Sequence, residues 1–295
     1  MKKALRNYIT YSAVLCMLLF VCCQANKKAD MVIFSYDRPL QLYALLESMH
    51  AYSDGLQAVN VVFRVSSDRF LQAYQRVQTD FPGVDFLLQE SSNDFKPLTL
   101  KATFESPNEH VIFAVDDIIV KDFIDLSECI DLLEKYNAWG FYLRLGRNLS
   151  RSYACNRKQP LPPLVELESG VLKWHFSQGR CDWRYPHTVD MTLYKKSDIR
   201  TALQGINYKN PNEFESIWAA KRPGRSFGLC FEHSKIVNVP LNRIQTVFCN
   251  RCMDSLSTQE LLAFFEQGKK IDIKALFAVT NKSAHMDYRP IFVER

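Results

Sequence analysis

No glycine-rich, basic loop follows the first strand-like segment of this chain; Tyr36-Asp37-Arg38-Pro39 stands there instead. That absence tells against a nucleotidyltransferase, which would usually carry such a loop to cradle phosphates. Charge of one sign is also scarce. The 37 basic residues barely outnumber the 32 acidic ones, for a net charge of +5. A nucleic-acid binder would show a dense basic stripe, so nucleic acid is excluded as a partner. The mild excess suits a phosphorylated small molecule or an anionic membrane surface. Internal repeats and low-complexity tracts are missing too. Cys249-Asn250-Arg251-Cys252 has zinc-ribbon or redox spacing, yet no second such motif and no histidine pair accompanies it. Of nine cysteines, three lie near the amino terminus. The even remainder (Cys129, Cys155, Cys181, Cys230, Cys249 and Cys252) would permit disulfides in an exported body. Plain packing is the commoner role for each.

What is present is ordinary for a globular protein. Of 295 residues, 47% are hydrophobic and 23% charged, enough to bury one large α/β domain or two small ones. An aromatic share of 13% fits stacking surfaces. The amino terminus departs from this pattern. Lys2, Lys3 and Arg6 precede an apolar run over residues 8–23, in which only Thr10, Tyr11 and Ser12 are clearly polar. That is the layout of a secretory signal or a short membrane anchor. The run falls short of the roughly 20 residues a spanning helix needs. Cys23-Gln24-Ala25 offers a small-x-small cleavage pattern before Asn26. We therefore expect residues 1–25 to be a signal or anchor, 26–295 to be one folded domain, and the protein to be exported or membrane-anchored. A cytoplasmic location stays open.

From Met31 onward apolar runs alternate with helical stripes. Residues 31–36, 59–65, 84–88 and 111–115 read as buried strands. Between them, Leu42, Leu45, Leu46 and Met49 keep helical spacing, as do Phe70, Leu71, Tyr74 and Val77; residues 97–104 predict a short helix. Asp37 is available as a helix cap, with Pro39 in the first turn. Strands alternating with helices predict an α/β three-layer sandwich around a mostly parallel sheet. Further on, residues 138–145, 189–194 and 234–239 read as strands, and 147–163, rich in basic residues and proline, as a loop or lid. Asn210-Pro211 opens a helix, and Ser257-Thr258-Gln259-Glu260 is a capping box.

The most telling residues are Asp116 and Asp117, which end the strand Val111-Ile112-Phe113-Ala114-Val115. Adjacent carboxylates repel unless positive charge lies beside them. At the carboxyl end of a parallel strand that charge is often a divalent cation with a phosphorylated ligand. The plainer reading is a solvated acidic turn.

Phe34-Ser35-Tyr36-Asp37-Arg38-Pro39, followed by a leucine-rich helix, resembles the opening of nucleotide-sugar glycosyltransferases of the GT-A fold, in particular bacterial family 2-like members. Phe113-Ala114-Val115-Asp116-Asp117-Ile118 is similar to their acidic metal-binding segment, with Val115 in place of the usual first acid. Tyr185 to Asp190, Asn210-Pro211-Asn212 and Ser234 to Pro240 resemble the acceptor half of bacterial members. The resemblance spans roughly residues 31–295, with a nucleotide half at about 31–120 and an acceptor half at about 121–295.

The resemblance implies a metal-dependent transfer of a sugar from a nucleotide-diphosphate donor, most expectedly a UDP-sugar, to a glycan or lipid-linked acceptor. Mn²⁺ or Mg²⁺ would bridge the diphosphate and offset its charge as it leaves. Asp117 would ligate the metal, with His285 as a second ligand, although a histidine so near a terminus is often just surface. Asp116 would lie near the ribose, while Ser35, Tyr36, Arg38, Ser67 and Asp68 would hold base and ribose. Arg38 could instead pair with Asp37 or Asp68 as scaffold. Asp190 is the expected acceptor-side base and Glu215 its rival. Glu213 fits plain helix-start electrostatics. Trp174, Trp183, Trp218 and Tyr185 could stack on a sugar, though core packing is the more usual fate of a tryptophan. Two other readings remain: a non-catalytic, membrane-associated carbohydrate-binding protein of the same fold, and a metal-dependent nucleotidyltransferase or phosphohydrolase using the same acids.

Overall fold

A computed structural model describes residues 27–244 and 256–295. The segment 1–25, expected to be a signal or anchor, and the Cys249–Cys252 motif lie outside the described residues.

Strand β1 (Ala29–Tyr36) is buried along all but its last residue. Such a strand reads as a continuous apolar run because both its faces are covered. Pro39 opens helix α1 (Pro39–Tyr52), where its fixed φ suits the first turn. Asp37 does not cap that helix. It takes a left-handed φ of 51°, and its carboxylate accepts instead from the Ser66 backbone N–H at 2.9 Å. Strand β2 (Leu56–Arg64), helix α2 (Asp68–Asp80), strand β3 (Val84–Leu88), helix α3 (Phe95–Phe104) and strand β4 (His110–Val115) follow. The apolar periods place these elements within a few residues of where they form.

Short strand β5 (Ile118–Val120) and helix α4 (Leu126–Lys135) lead into the second half. The expected strand over 138–145 shrinks to β6 (Phe141–Tyr142), because a turn in which Leu145 N donates to Tyr142 O ends it. Strands β7 (Val165–Glu166) and β8 (Val171–His175) were not expected. Strand β9 (Thr192–Lys195) starts later than its apolar run, since Met191 sits at φ 45°. Helices α5 (Lys196–Gly205) and α6 (Pro211–Ala219), strands β10 (Phe227–Phe231) and β11 (Ile236–Asn238), helix α7 (Thr258–Glu266) and the pair β12 (Lys269–Ile271) and β13 (Phe292–Glu294) complete the chain. The Ser257–Glu260 capping box forms as the sequence predicts. The proline-rich 147–163 segment is pinned to the body, with Ser150 N and Arg151 N both donating to Lys282 O at 2.9 Å.

One nine-stranded sheet runs β7-β8-β10-β6-β9-β4-β1-β2-β3. The pairs β4/β1, β1/β2 and β2/β3 are all parallel, and antiparallel pairing enters where β9 joins β4. Side chains alternate across the sheet. Met31 and Ile33 point into a core with α1, α2 and α7, while Val32 and Phe34 point into a second core with α3 and α6. The expected three-layer α/β sandwich is therefore what the chain forms. Trp174, Trp183 and Trp218 belong to the second core at 2%, 0% and 0% exposure, so they are not available to stack on a sugar. Cys129 and Cys230 are buried free thiols, while Cys155 and Cys181, also free, lie nearer the surface.

Candidate active site

β1 lies between β2, which follows it in sequence, and β4, which the chain reaches only after returning across the sheet. Strand order reverses at β1/β4, and in open α/β sheets such a switch point leaves a crevice beyond the carboxyl ends. Phe34 pairs with Val115 there, so the segments Ser35–Arg38 and Asp116–Asp117 emerge side by side.

Asp116 is 4% exposed. Its Oδ1 accepts from Arg38 Nη1 at 3.0 Å, and its Oδ2 from Ser35 Oγ at 2.9 Å and Tyr36 N at 3.3 Å. Ser35 Oγ shares a second hydrogen bond, 2.5 Å long, with the Tyr74 hydroxyl. Burial pushes the Asp116 carboxyl up to about 6; Arg38 opposes that rise and Asp117 adds to it. The positive charge that the acid pair requires is therefore Arg38. It does not pair with Asp37 or Asp68, the scaffold partners considered from sequence. Besides Asp116 it reaches Asp117 Oδ2 at 3.5 Å and donates a short bond to the Asn242 carbonyl, while its Nε has no partner among the described residues.

Asp117 is held loosely. Its two contacts, 3.5 Å from Arg38 and 3.4 Å from Asn238 Nδ2, are at the limit of a hydrogen bond. Asn238 arrives from the far half of the chain, because β11 pairs antiparallel with β5 and sets Asn238 opposite Ile118. The same Nδ2 donates to Asp190 Oδ1 at 3.0 Å. One amide thus links the acid of the first half to an acid of the second. Among the described residues the buried Asn238 Oδ1 has no hydrogen-bond partner. His285 pairs with Asn238 through an isolated bridge, and its Nε2 stands 3.9 Å from Asp190 Oδ2. Its ring stacks on Tyr153 at 5.8 Å.

Glu215 projects from α6, which Asn210 caps by accepting from Glu213 N at 2.9 Å. Glu215 Oε1 accepts from Val189 N at 3.0 Å, one residue before Asp190. Burial first, and then the Asp190 charge, push the Glu215 carboxyl up to about 7. Glu213 only closes the first helical turn, accepting from Lys209 N at 2.9 Å. Sequence reading missed Arg144, which is 2% exposed behind this second acid pair. Its Nη2 donates to the Asp182 and Tyr185 carbonyls at 3.3 Å each, and its Nε has no partner among the described residues. Burial opposes its charge, but Asp182, Asp190 and Glu215 together hold the guanidinium above its ordinary value. Its signal in the sequence was a lone charge in the apolar run 138–145.

The remaining candidates sit on the rim. Tyr36 is 37% exposed, with the Arg64 guanidinium 5.5 Å from its ring centroid. Ser67 takes the cap position of α2 without a side-chain capping bond, and Asp68 lies in its first turn. Among the described residues no hydrogen bond joins either of them to the acids.

Among the described residues no three histidine, cysteine or carboxylate side chains converge as a metal cage. A Mg²⁺-type ion needs fewer, since one or two carboxylates with phosphate oxygens and waters can complete it. Asp117, with two long contacts, and the unpartnered Asn238 Oδ1 offer hard oxygens of the right kind. The residues therefore fit a cation that arrives with a diphosphate.

No family model matches the chain. The bifunctional glycosyltransferase pgtA of Dictyostelium discoideum is 28% identical over 277 residues, a match covering 82% of this chain and 36% of that protein. The chain thus spans about a third of that relative's length. Among solved structures, S. aureus TarS 1-349 matches with a TM-score of 0.45 at 15% identity, over 70% of this chain and 58% of that one. The mannosyltransferase PcManGT from Pyrobaculum calidifontis, solved with GDP-Man and Mn²⁺, matches with a TM-score of 0.35 at 11% identity, over 60% and 47% respectively. The match to a curated relative named as a glycosyltransferase thus extends over most of the chain.

Proposed function

We propose that this protein transfers a sugar from a nucleotide-diphosphate donor, a UDP-sugar in the first instance, to a hydroxyl of a glycan or lipid-linked acceptor. One observation carries the reading: the Asn238 amide lies between Asp117 and Asp190, joining an acid at the nucleotide crevice to an acid on the acceptor side. Residues 31–120 form the donor half and 121–295 the acceptor half.

The chain's own groups divide the work. Asp116 and Arg38 neutralise each other under the crevice floor, so Asp116 positions Arg38 and Ser35 and is already satisfied by three donors before any ribose approaches. Tyr36, Ser67 and Asp68 line the rim where a base and ribose would rest. A divalent cation, Mn²⁺ or Mg²⁺, held by Asp117 with the donor's phosphates, would offset the diphosphate charge as it leaves. Asp190 Oδ2 faces His285 and is not hydrogen-bonded to Asn238, which leaves it to accept the proton of an acceptor hydroxyl. Glu215 holds the backbone just before Asp190, and with a carboxyl near neutrality it can share that proton.

Calorimetry of UDP with and without Mn²⁺, followed by UDP release from UDP-sugars with and without candidate acceptors, tests this. Metal-dependent UDP binding that Asp117→Ala abolishes in a folded protein is the expected result. Nucleotide affinity unchanged in that variant removes Asp117 from the site, and binding without turnover on any acceptor favours a non-catalytic carbohydrate binder. The basic-flanked apolar run before residue 26 supports placement at a membrane or beyond it. Among the described residues no helix is long and apolar enough to cross one. Fractionation of the full chain against a chain starting at Asn26 tests that placement, and equal amounts of both in the soluble cytosol would sink it.

A further inference from the structure

Within the 147–163 segment the chain turns back on itself as a short hairpin, Arg151–Ser152 paired antiparallel with Arg157–Lys158. Cys155 sits at its tip, where its N–H donates to Ser152 Oγ at 3.4 Å. Cys181 comes from another part of the chain and opens the turn Cys181–Arg184. The two segments are already joined beside their cysteines, since Asp182 N donates to Gln159 Oε1 at 3.2 Å. Cys181 itself takes a left-handed φ of 49°, uncommon for a residue other than glycine.

Arg157 brings the two sulfurs under one cation. Its Nε donates to Cys181 Sγ at 3.3 Å, and its guanidinium also hydrogen-bonds the Cys155 sulfur. The Cys155 and Cys181 side chains are themselves hydrogen-bonded to each other. Burial pushes the Cys155 thiol up and the Cys181 sulfur adds to the rise, while Ser152 and Arg157 oppose it. Positive charge beside a sulfur favours the thiolate, the form that carries out disulfide exchange. Access separates this pair from the packing cysteines. Cys155 is exposed and Cys181 partly so, whereas Cys129 and Cys230 are buried.

We propose that Cys155 and Cys181 close into an intramolecular disulfide when the protein meets a small disulfide oxidant, tying the hairpin to the segment behind Asp190. The Cys155 thiolate attacks the oxidant's sulfur–sulfur bond and releases one thiolate. The Cys181 thiolate then attacks the Cys155 sulfur and releases the second. Two protein thiols are oxidised, the oxidant is reduced to two thiols, and the two protons pass to them. The bond braces Tyr153, whose ring stacks on His285 at 5.8 Å, and Asp182, whose carbonyl accepts from Arg144 at 3.3 Å. It forms whether or not sugar is transferred.

The full-length protein, incubated with glutathione disulfide, alkylated and digested without reductant, tests this by mass spectrometry. Peptides joined through Cys155 and Cys181 should dominate the cross-linked species and vanish when dithiothreitol precedes alkylation. Cys155→Ser should remove them and leave Cys181 alkylated. Full alkylation of both cysteines after oxidation, or Cys155 joined chiefly to glutathione or to another cysteine, would overturn the assignment. The bond closes a loop of about 27 residues, which restricts the unfolded chain. The oxidised protein should therefore melt about 5 °C or more above the reduced one. Cys155→Ser should abolish that difference, and a difference undiminished in the variant would overturn the proposal equally.

Discussion

Asn238 donates through one amide nitrogen to Asp190 at 3.0 Å and to Asp117 at 3.4 Å, and no other side chain among the described residues joins those two acids. The carboxylates approach from opposite halves of the chain, and the amide relieves their repulsion without adding charge. Asn238→Ala should therefore lower the turnover rate by about tenfold to a hundredfold, the equivalent of about 1–3 kcal/mol for an unmade buried hydrogen bond. Asn238→Asp should do worse, since it sets a third carboxylate among the two. Steady-state kinetics of both variants check the ranking, and Asn238→Asp as active as the unsubstituted protein would contradict it.

Proton transfer from the acceptor occurs only in the transition state, so its loss should show in rate and not in donor affinity. Asp190→Asn is expected to slow transfer by roughly two to four orders of magnitude, the usual worth of a general base. Glu215→Gln should slow it less. A reversed order would hand the role to Glu215. No effect from either would favour a retaining enzyme or a protein that transfers no sugar.

Two buried carboxyls link stability to pH. Glu215 rises from 4.5 to about 7 and Asp116 from 3.8 to about 6, both mainly through burial. An acid whose folded pKa is raised binds more protons folded than unfolded, so its contribution to stability declines as pH climbs through that interval. Thermal midpoints should accordingly fall between about pH 4.5 and pH 7, and Glu215→Gln should flatten the upper part of that fall. A midpoint that climbs across this interval only because of Glu215 would reverse the sign.

Arg38 has two acids beside it and little water. Arg38→Met strands the Asp116 and Asp117 charges, and removing one partner of a buried pair costs about 3–5 kcal/mol. Arg38→Lys keeps the charge but loses the fork that reaches both acids and the Asn242 carbonyl. It should fall between the two in a chemical denaturation series. Asp116→Asn combined with Arg38→Met should recover part of the loss, because the stranded charge is gone; no recovery would show that the cost lies elsewhere.

The sequence by itself determined the elements of the first half. Strand and helix periods are local properties of five to fifteen residues, so the runs around Met31, Val59, Val84 and Val111 identified β1 to β4, and the acids after Val115 were bound to emerge at a strand end. It also held the Ser257 capping box and the helix opening at Asn210, whose bonds span three residues. Only the tertiary structure decided what met what. The strand β7 went unseen because it has only two residues, and β8 and β10 because their pairing with each other joins segments about 55 residues apart, so packing and not local periodicity stabilises them. Arg38 could have paired with Asp37 or Asp68 by proximity in sequence; the reversal of strand order at β1/β4 put Asp116 nearer. The tryptophans could have faced a ligand or the core, a choice set by the second helical layer. Asn238 and Arg144 gained their place beside the acids from folds of the chain that no local period encodes: the β5/β11 pairing brings Asn238 to Asp117, and the turn after β6 sends Arg144 inward behind Asp190.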